Sequence, residues 1–253
     1  MRTKVSIGIL GSAALLIFVS LAQATTLYDF ESPAYSLGTL DGQDSWAGGG
    51  SGTVPNPAII AKPSAMPASA GSQSAQIGWW TDRGTAGAGY GDLTSVSCLL
   101  QYTPTGSATE AAIYAGGLTT ADVIARVRIS GNNVLSFGTA PGSPSVTQFA
   151  NVDSTDLKVW NVEVLLDFAG QQYKSIWTDL STSTAYDSGW ATLLASRTAA
   201  EAEANSLFSI GAVGGQGTGG QVFDNLSITV VPEPMTMGLL GVGGFGLLLR
   251  RRK

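Results

Sequence analysis

From Val159 to Phe168 the chain alternates with a period of two. Trp160, Val162, Val164, Leu166 and Phe168 take one parity, and Val159, Asn161, Glu163, Leu165 and Asp167 take the other. Successive strand residues point to opposite faces, whereas a helix repeats about every 3.6 residues. The run therefore predicts a strand with one wholly apolar face, and such a face must be buried against a second layer. Ala169-Gly170-Gln171 suits a turn into another strand near Tyr173 to Leu180, which makes a hairpin. Val123, Ala125, Val127 and Ile129 repeat the pattern against Asp122, Arg126 and Arg128. Gly131-Asn132-Asn133 follows as a turn before Val134 to Phe137.

Further strands are expected at Thr26 to Glu31, Ala75 to Trp80, Leu93 to Tyr102, Glu110 to Ala115, Leu207 to Val213 and Val222 to Val230. Many short strands with Gly, Pro, Ser and Thr between them predict an all-β, antiparallel sandwich. The first and last strands should be neighbours, because domain termini often are. One short surface helix is expected within Ser196 to Asn205. The glycine runs Ala47 to Gly52 and Gly214 to Gly220 read as flexible loops. The segment holding Pro55, Pro57, Pro63 and Pro67 reads as mostly irregular.

Composition excludes several chemistries. There is no histidine, which removes Ser-His-Asp catalysis, most zinc sites and imidazole acid–base work. Cys98 is the single cysteine, so no intrachain disulfide forms. Its parity with Val96, Leu100 and Tyr102 makes it a small core residue. Six of the thirteen basic residues and one of the eighteen acids lie near the two ends. That leaves a body of seven against seventeen, net −10. Such a body, with its cations scattered, offers no footprint for nucleic acid.

Both ends read as processing segments. Arg2 and Lys4 precede an apolar run, Val5 to Leu21, and Ala22-Gln23-Ala24 fits the small-x-small rule for signal peptidase. The mature chain should start at Thr25. At the other end, Pro232-Glu233-Pro234 precedes an apolar, glycine-rich run from Met235 to Leu249, then Arg250-Arg251-Arg252-Lys253. The run spans roughly 22 Å as a helix, short of a ~30 Å hydrocarbon core. It suits a transient stop in the membrane, with the basic cluster left inside. These three elements, in this order, resemble the bacterial PEP-CTERM sorting domain. The resemblance implies a Gram-negative source, an exosortase cutting near Pro232-Glu233-Pro234, and an association with exopolysaccharide and biofilm. The expected layout is a signal peptide at 1–24, a β-sandwich at 25–230 and a sorting signal with a hydrophobic helix at 231–253. Tyr28-Asp29-Phe30-Glu31 and Phe223-Asp224-Asn225-Leu226-Ser227-Ile228 are similar to the first and last strands of concanavalin-like jelly-roll domains.

Site candidates come from aromatics and carboxylates. Trp46 follows the acidic turn Asp41 to Asp44 and precedes a glycine run, so it is expected to stay out of the core and offer a sugar platform, with Asp44 beside it. Trp79 and Trp80 are adjacent, so they would face opposite ways. Trp177 and Trp190 are weaker candidates. Asp224 shares core-face parity with Val222, Leu226 and Ile228. It reads as rotated out by a bulge, satisfied by backbone hydrogen bonds, or a Ca²⁺ ligand with Asn225. The Glu-x-Asp-x-x-Glu motif of retaining jelly-roll glucanases is absent. No catalytic residue and no cofactor are expected. The expected function is an exported, exosortase-processed surface or matrix protein with a structural or adhesive role. The alternative is a carbohydrate-binding module at the envelope, and a glycoside hydrolase comes third.

Overall fold

Lys158–Asp167 forms one continuous strand, and its apolar parity is buried: Trp160, Val162, Val164 and Leu166 all lie in the core. Burying each such side chain contributes about 1.5–3 kcal/mol. The computed structural model describes residues 25–31, 34–49, 56–77, 80–104, 108–117, 119–140, 145–213 and 221–231. In chain order the strands are β1 (Thr25–Tyr28), β2 (Gly38–Thr39), β3 (Trp46–Gly49), β4 (Ala58–Ala61), β5 (Gln73–Gln76), β6 (Trp80–Gly84), β7 (Leu93–Tyr102), β8 (Ala108–Ala115) and β9 (Val123–Ser130). They continue as β10 (Val134–Gly138), β11 (Val146–Asn151), β12 (Lys158–Asp167), β13 (Gln172–Asp179), β14 (Thr184–Asp187), β15 (Ala191–Thr192), β16 (Ser206–Val213) and β17 (Val222–Val230). One α-helix, α1 (Ala199–Ala204), precedes β16.

All described pairings are antiparallel, and they form two sheets. The ten-stranded sheet runs β14-β13-β12-β7-β17-β5-β4-β2, with β1 also on β17 and β15 also on β13. The seven-stranded sheet runs β11-β10-β9-β8-β16-β6-β3. Their facing sides make one core, from Phe30 and Trp46 to Phe223 and Ile228. Tyr173 ties the layers, its hydroxyl donating to the Gly138 carbonyl at 2.9 Å. The expected hairpin is β12–β13, with Trp160 opposite Asp179 and Asp167 opposite Gln172. The first and last strands do pair, with Thr25 opposite Thr229 and Tyr28 opposite Leu226. Cys98 is buried in the core, and burial pushes its thiol up to about 12.

The structure corrects three expectations. Trp46–Gly49 is a strand rather than the start of a flexible loop. Its glycines serve close approach, since a Cβ on Gly48 would collide with the Pro57 ring. Ala58–Ala61 within the proline segment is also a strand. The single strand expected from Ala75 to Trp80 is two, β5 and β6, in different sheets. For Asp224 the bulge reading holds: the register shifts between Asp224 and Ser227, where Asn225 takes φ 52°. Phe223 stands opposite Leu100 on the core side, and Asp224 stands opposite Leu99 on the outer side. Asp224 is still fully buried, because the outer face there is covered. Met66 and Ala70 pack over Leu99 and Val159 as a small second cluster.

Candidate functional site

The residues expected to form the sugar platform are structural. Trp46 is 1% exposed, packed among Tyr28, Phe30 and Phe223. Its indole N–H donates to the Tyr35 hydroxyl at 3.1 Å. That hydroxyl donates to the Asp44 carboxylate at 2.7 Å, and Arg83 pairs with the same carboxylate at 3.3 Å. The acidic turn thus closes one end of the core. Trp177 is buried, while Trp190 is exposed with the Lys174 ammonium 5.4 Å from its ring centroid. Trp79 lies outside the described residues. So do Ala22, Ala24, Pro232, Glu233, Pro234, Arg250, Arg251, Arg252 and the hydrophobic segment.

Asp224 uses both oxygens. Ser74 Oγ donates to Oδ2 at 2.7 Å, and the Asn225 backbone N–H donates to Oδ1 at 2.7 Å. Asn225 Nδ2 donates to the Ser69 carbonyl at 2.9 Å. Among the described residues, no three His, Cys, Asp or Glu side chains converge as a metal cage. Asn225 pins the covering segment to the bulge, and Asp224 ties the bulge to β5. Burial raises the Asp224 pKa to about 7, against the Ser74 and Asn225 bonds, with Glu31 and Asp29 adding to the rise. Beside it is an open groove of about 370 Å³, lined by Asp29, Glu31, Ser97, Asn161, Asn225 and Ser227 among others.

A different cluster emerges on the outer face of the seven-stranded sheet. Cross-strand register builds two rows there. In one, Asp82 of β6 is opposite Ser209 of β16, Ser209 is opposite Ala112 of β8, and Ala112 is opposite Arg126 of β9. In the other, Gly211 is opposite Glu110, Glu110 opposite Arg128, Arg128 opposite Ser136, and Ser136 opposite Gln148. Trp80 follows Thr81 in register with β16, which puts it level with Gly211 at one end of this row. With strands about 4.8 Å apart, Trp80 and Arg128 are roughly 14 Å apart across the sheet.

The row has a mixed chemical character. Trp80 is 40% exposed. Gly211, Ser209 and Ala112 leave a low floor beside it. Arg126 Nε pairs with Glu110 Oε1 at 3.1 Å. Burial raises the Glu110 pKa, partly offset by Arg126 and Arg128. Burial likewise raises Asp82, partly offset by Ser209. Tyr114 is raised by burial, then by Asp82, with Arg126 opposing. The charged groups are therefore half-sunk in the sheet surface rather than fully solvated. Sequence reading found Arg126 and Arg128 as the polar side of a strand. It could not align them with Trp80 and Glu110, because that alignment is set by pairing across four strands.

The family comparison decides what the C-terminal segment is. Residues 230–253 match the PEP-CTERM protein-sorting motif. This chain carries a PEP-CTERM sorting signal. The motif marks it as an exported protein that passes the membrane for exosortase processing. Its matched region begins inside the sandwich: Val230 is the last residue of β17, and the Val231 N–H donates to the Leu93 carbonyl at 2.9 Å. No curated protein matches the sequence significantly. Among solved structures, the fold is similar to lectin II from Ulex europaeus at 12% identity, TM-score 0.40, covering 81% of this chain and 96% of the lectin. It is similar to peanut lectin at 9% identity, TM-score 0.47, with coverage of 83% and 99%. It is also similar to the globular domain of T. cruzi calreticulin at 9% identity, TM-score 0.41, with coverage of 83% and 93%. The two-sheet antiparallel architecture stands on the strand pairings themselves.

Proposed function

We propose that the protein is an adhesive component of the cell surface or extracellular matrix of a Gram-negative bacterium, and that it adheres by binding a carbohydrate polymer. Signal peptidase would cleave after Ala24 and exosortase near Pro232-Glu233-Pro234, leaving the sandwich of 25–230 as the working part. The observation that carries the binding reading is the row Trp80, Gly211, Glu110, Arg128, Ser136 and Gln148. A sugar presents apolar C–H faces and polar hydroxyls, so a site for it combines an aromatic face with fixed donors and acceptors. This row supplies an exposed indole, a carboxylate, a guanidinium and an amide in line across the strands, with the Ser136 hydroxyl buried beneath them. A polymer lying perpendicular to the strands meets them in turn.

The role is read as non-catalytic. Glu110 is held in an ion pair with Arg126, and the chain has no histidine. The test is binding of the secreted protein to bacterial, algal and plant polysaccharides, with Trp80→Ala alongside. The reading expects Trp80→Ala to abolish binding while changing stability by no more than about 0.5 kcal/mol, as for an exposed surface residue. No binding by the wild-type protein would leave a purely structural role.

A further inference from the structure

We propose that Arg128 anchors an anionic group of the ligand, so that the polymer taken by this face is an acidic polysaccharide. The proposal rests on the glycan-binding reading above and goes on to name the class of glycan.

The argument starts from an inventory of cations. The body has seven Lys and Arg residues, all of them among the described residues. Six have a defined partner. Lys62 donates to the Met66 carbonyl at 3.3 Å. Arg83 pairs with Asp44, Arg126 with Glu110, Lys158 with Asp179, Lys174 with Asp187 and Arg197 with Asp122. In a body of net −10, a cation with neither an ion pair nor a hydrogen bond stands out. Among the described residues Arg128 is that one: it has no ion pair and no hydrogen bond, Glu110 acts on it only as a nearby charge, and its Nε is shielded from solvent without an acceptor.

Its position explains why. The carboxylate directly across the strand pair belongs to Glu110, and Glu110 Oε1 is already engaged by Arg126. On its other side stands Ser136, which carries no charge. A shielded N–H without an acceptor costs free energy until a partner arrives. A guanidinium offers a planar fork that matches a carboxylate or a sulfate, each of which can accept two parallel hydrogen bonds. An uncharged hydroxyl would satisfy it less well. The remaining acid of the face, Asp82, lies in the other row on β6. It is separated from β9 by β16 and β8, roughly 14 Å across the sheet, so it does not oppose an anion at Arg128.

The net charge of the body works against the ligand at long range and leaves the short-range contact to decide. Binding should therefore depend on Arg128 itself, not on cations in general. The experiment uses protein purified from the secreted fraction. Affinity electrophoresis would be run through polygalacturonate and fully methyl-esterified pectin, and through dextran sulfate and plain dextran. The variants are Arg128→Gln, Arg128→Lys, Trp80→Ala and, as a control on the opposite sheet, Lys174→Gln. The expected result is retardation by a charged polymer and not by its neutral counterpart, with a loss of roughly tenfold or more in Arg128→Gln. Arg128→Lys, which keeps the charge, retains part of the retardation and guards against a folding defect. The carboxylate and sulfate arms distinguish uronic from sulfated glycans. Equal retardation by charged and neutral polymers, lost in Trp80→Ala, would overturn the anion anchor and keep the glycan reading. Equal losses in Arg128→Gln and Lys174→Gln would also overturn it. Retardation by none of the four polymers would remove the glycan reading and this proposal together.

Discussion

Ser74 Oγ donates a 2.7 Å hydrogen bond to Asp224 Oδ2, tying β5 to the bulge of β17 with both side chains fully buried. The carboxyl there is pushed up to about 7 by burial. A raised carboxyl pKa means that the folded chain holds its proton more tightly than the unfolded chain, whose pKa is near 3.8. The associated stability is present below about pH 4 and is lost as pH rises through about 7. The wild type should therefore lose stability relative to Asp224→Asn between pH 5 and pH 8. Asn keeps the shape and can still accept from the Asn225 N–H. Thermal melts of both proteins across that range check it, and parallel curves would contradict the assignment.

Trp46 and Trp80 should behave in opposite ways. Trp46→Ala empties a core site bounded by Phe30 and Phe223 and should cost about 3–5 kcal/mol. Trp80→Ala should leave stability within about 0.5 kcal/mol. Denaturant titration of each variant measures both numbers.

On β12, Val164→Asp places an unpaired charge in the core, at a cost of several kcal/mol. Glu163→Ser, one position away, loses only the 2.6 Å bond from Ser95 Oγ, worth about 1 kcal/mol. Similar damage from both would mean that the strand does not alternate between core and outer face as the pairing requires.

Replacing Pro232, Glu233 and Pro234 together with alanine should leave insertion in the membrane but stop exosortase processing. Immunoblots of the membrane and secreted fractions should then show the full-length form accumulating in the membrane. A shortened product released as before would contradict a role for these residues.

The parts of the fold legible in the sequence were those in which one strand carries its own evidence. Trp160 to Leu166 and the turn at Gly170 define β12 and β13 with no knowledge of their neighbours. Trp46 misled because its local context, an acidic turn and glycines, resembles a loop. Only the fold shows that Gly48 makes room for Pro57 and that Phe30 and Phe223 enclose the indole. Asp224 was open to several readings for a related reason. A bulge adds residues to one strand, so parity counted along β17 fails past Asn225. The row from Trp80 to Gln148 was invisible for a stronger reason. Its members are spread from position 80 to position 211 of the sequence, and nothing local to any of them encodes the register that aligns them.

The central place of β17 in its sheet fixes an order in time. A chain is made from its N-terminus, so Val222–Val230 emerges after every other described strand. Without it the ten-stranded sheet falls into two pieces, β14-β13-β12-β7 and β5-β4-β2, and β1 has no neighbour. Phe223, Leu226 and Ile228 are also missing from the core. Joining the ten-stranded sheet therefore requires the strand just ahead of the sorting signal. The sheet that holds the first strand thus depends on the segment that ends where the sorting signal begins.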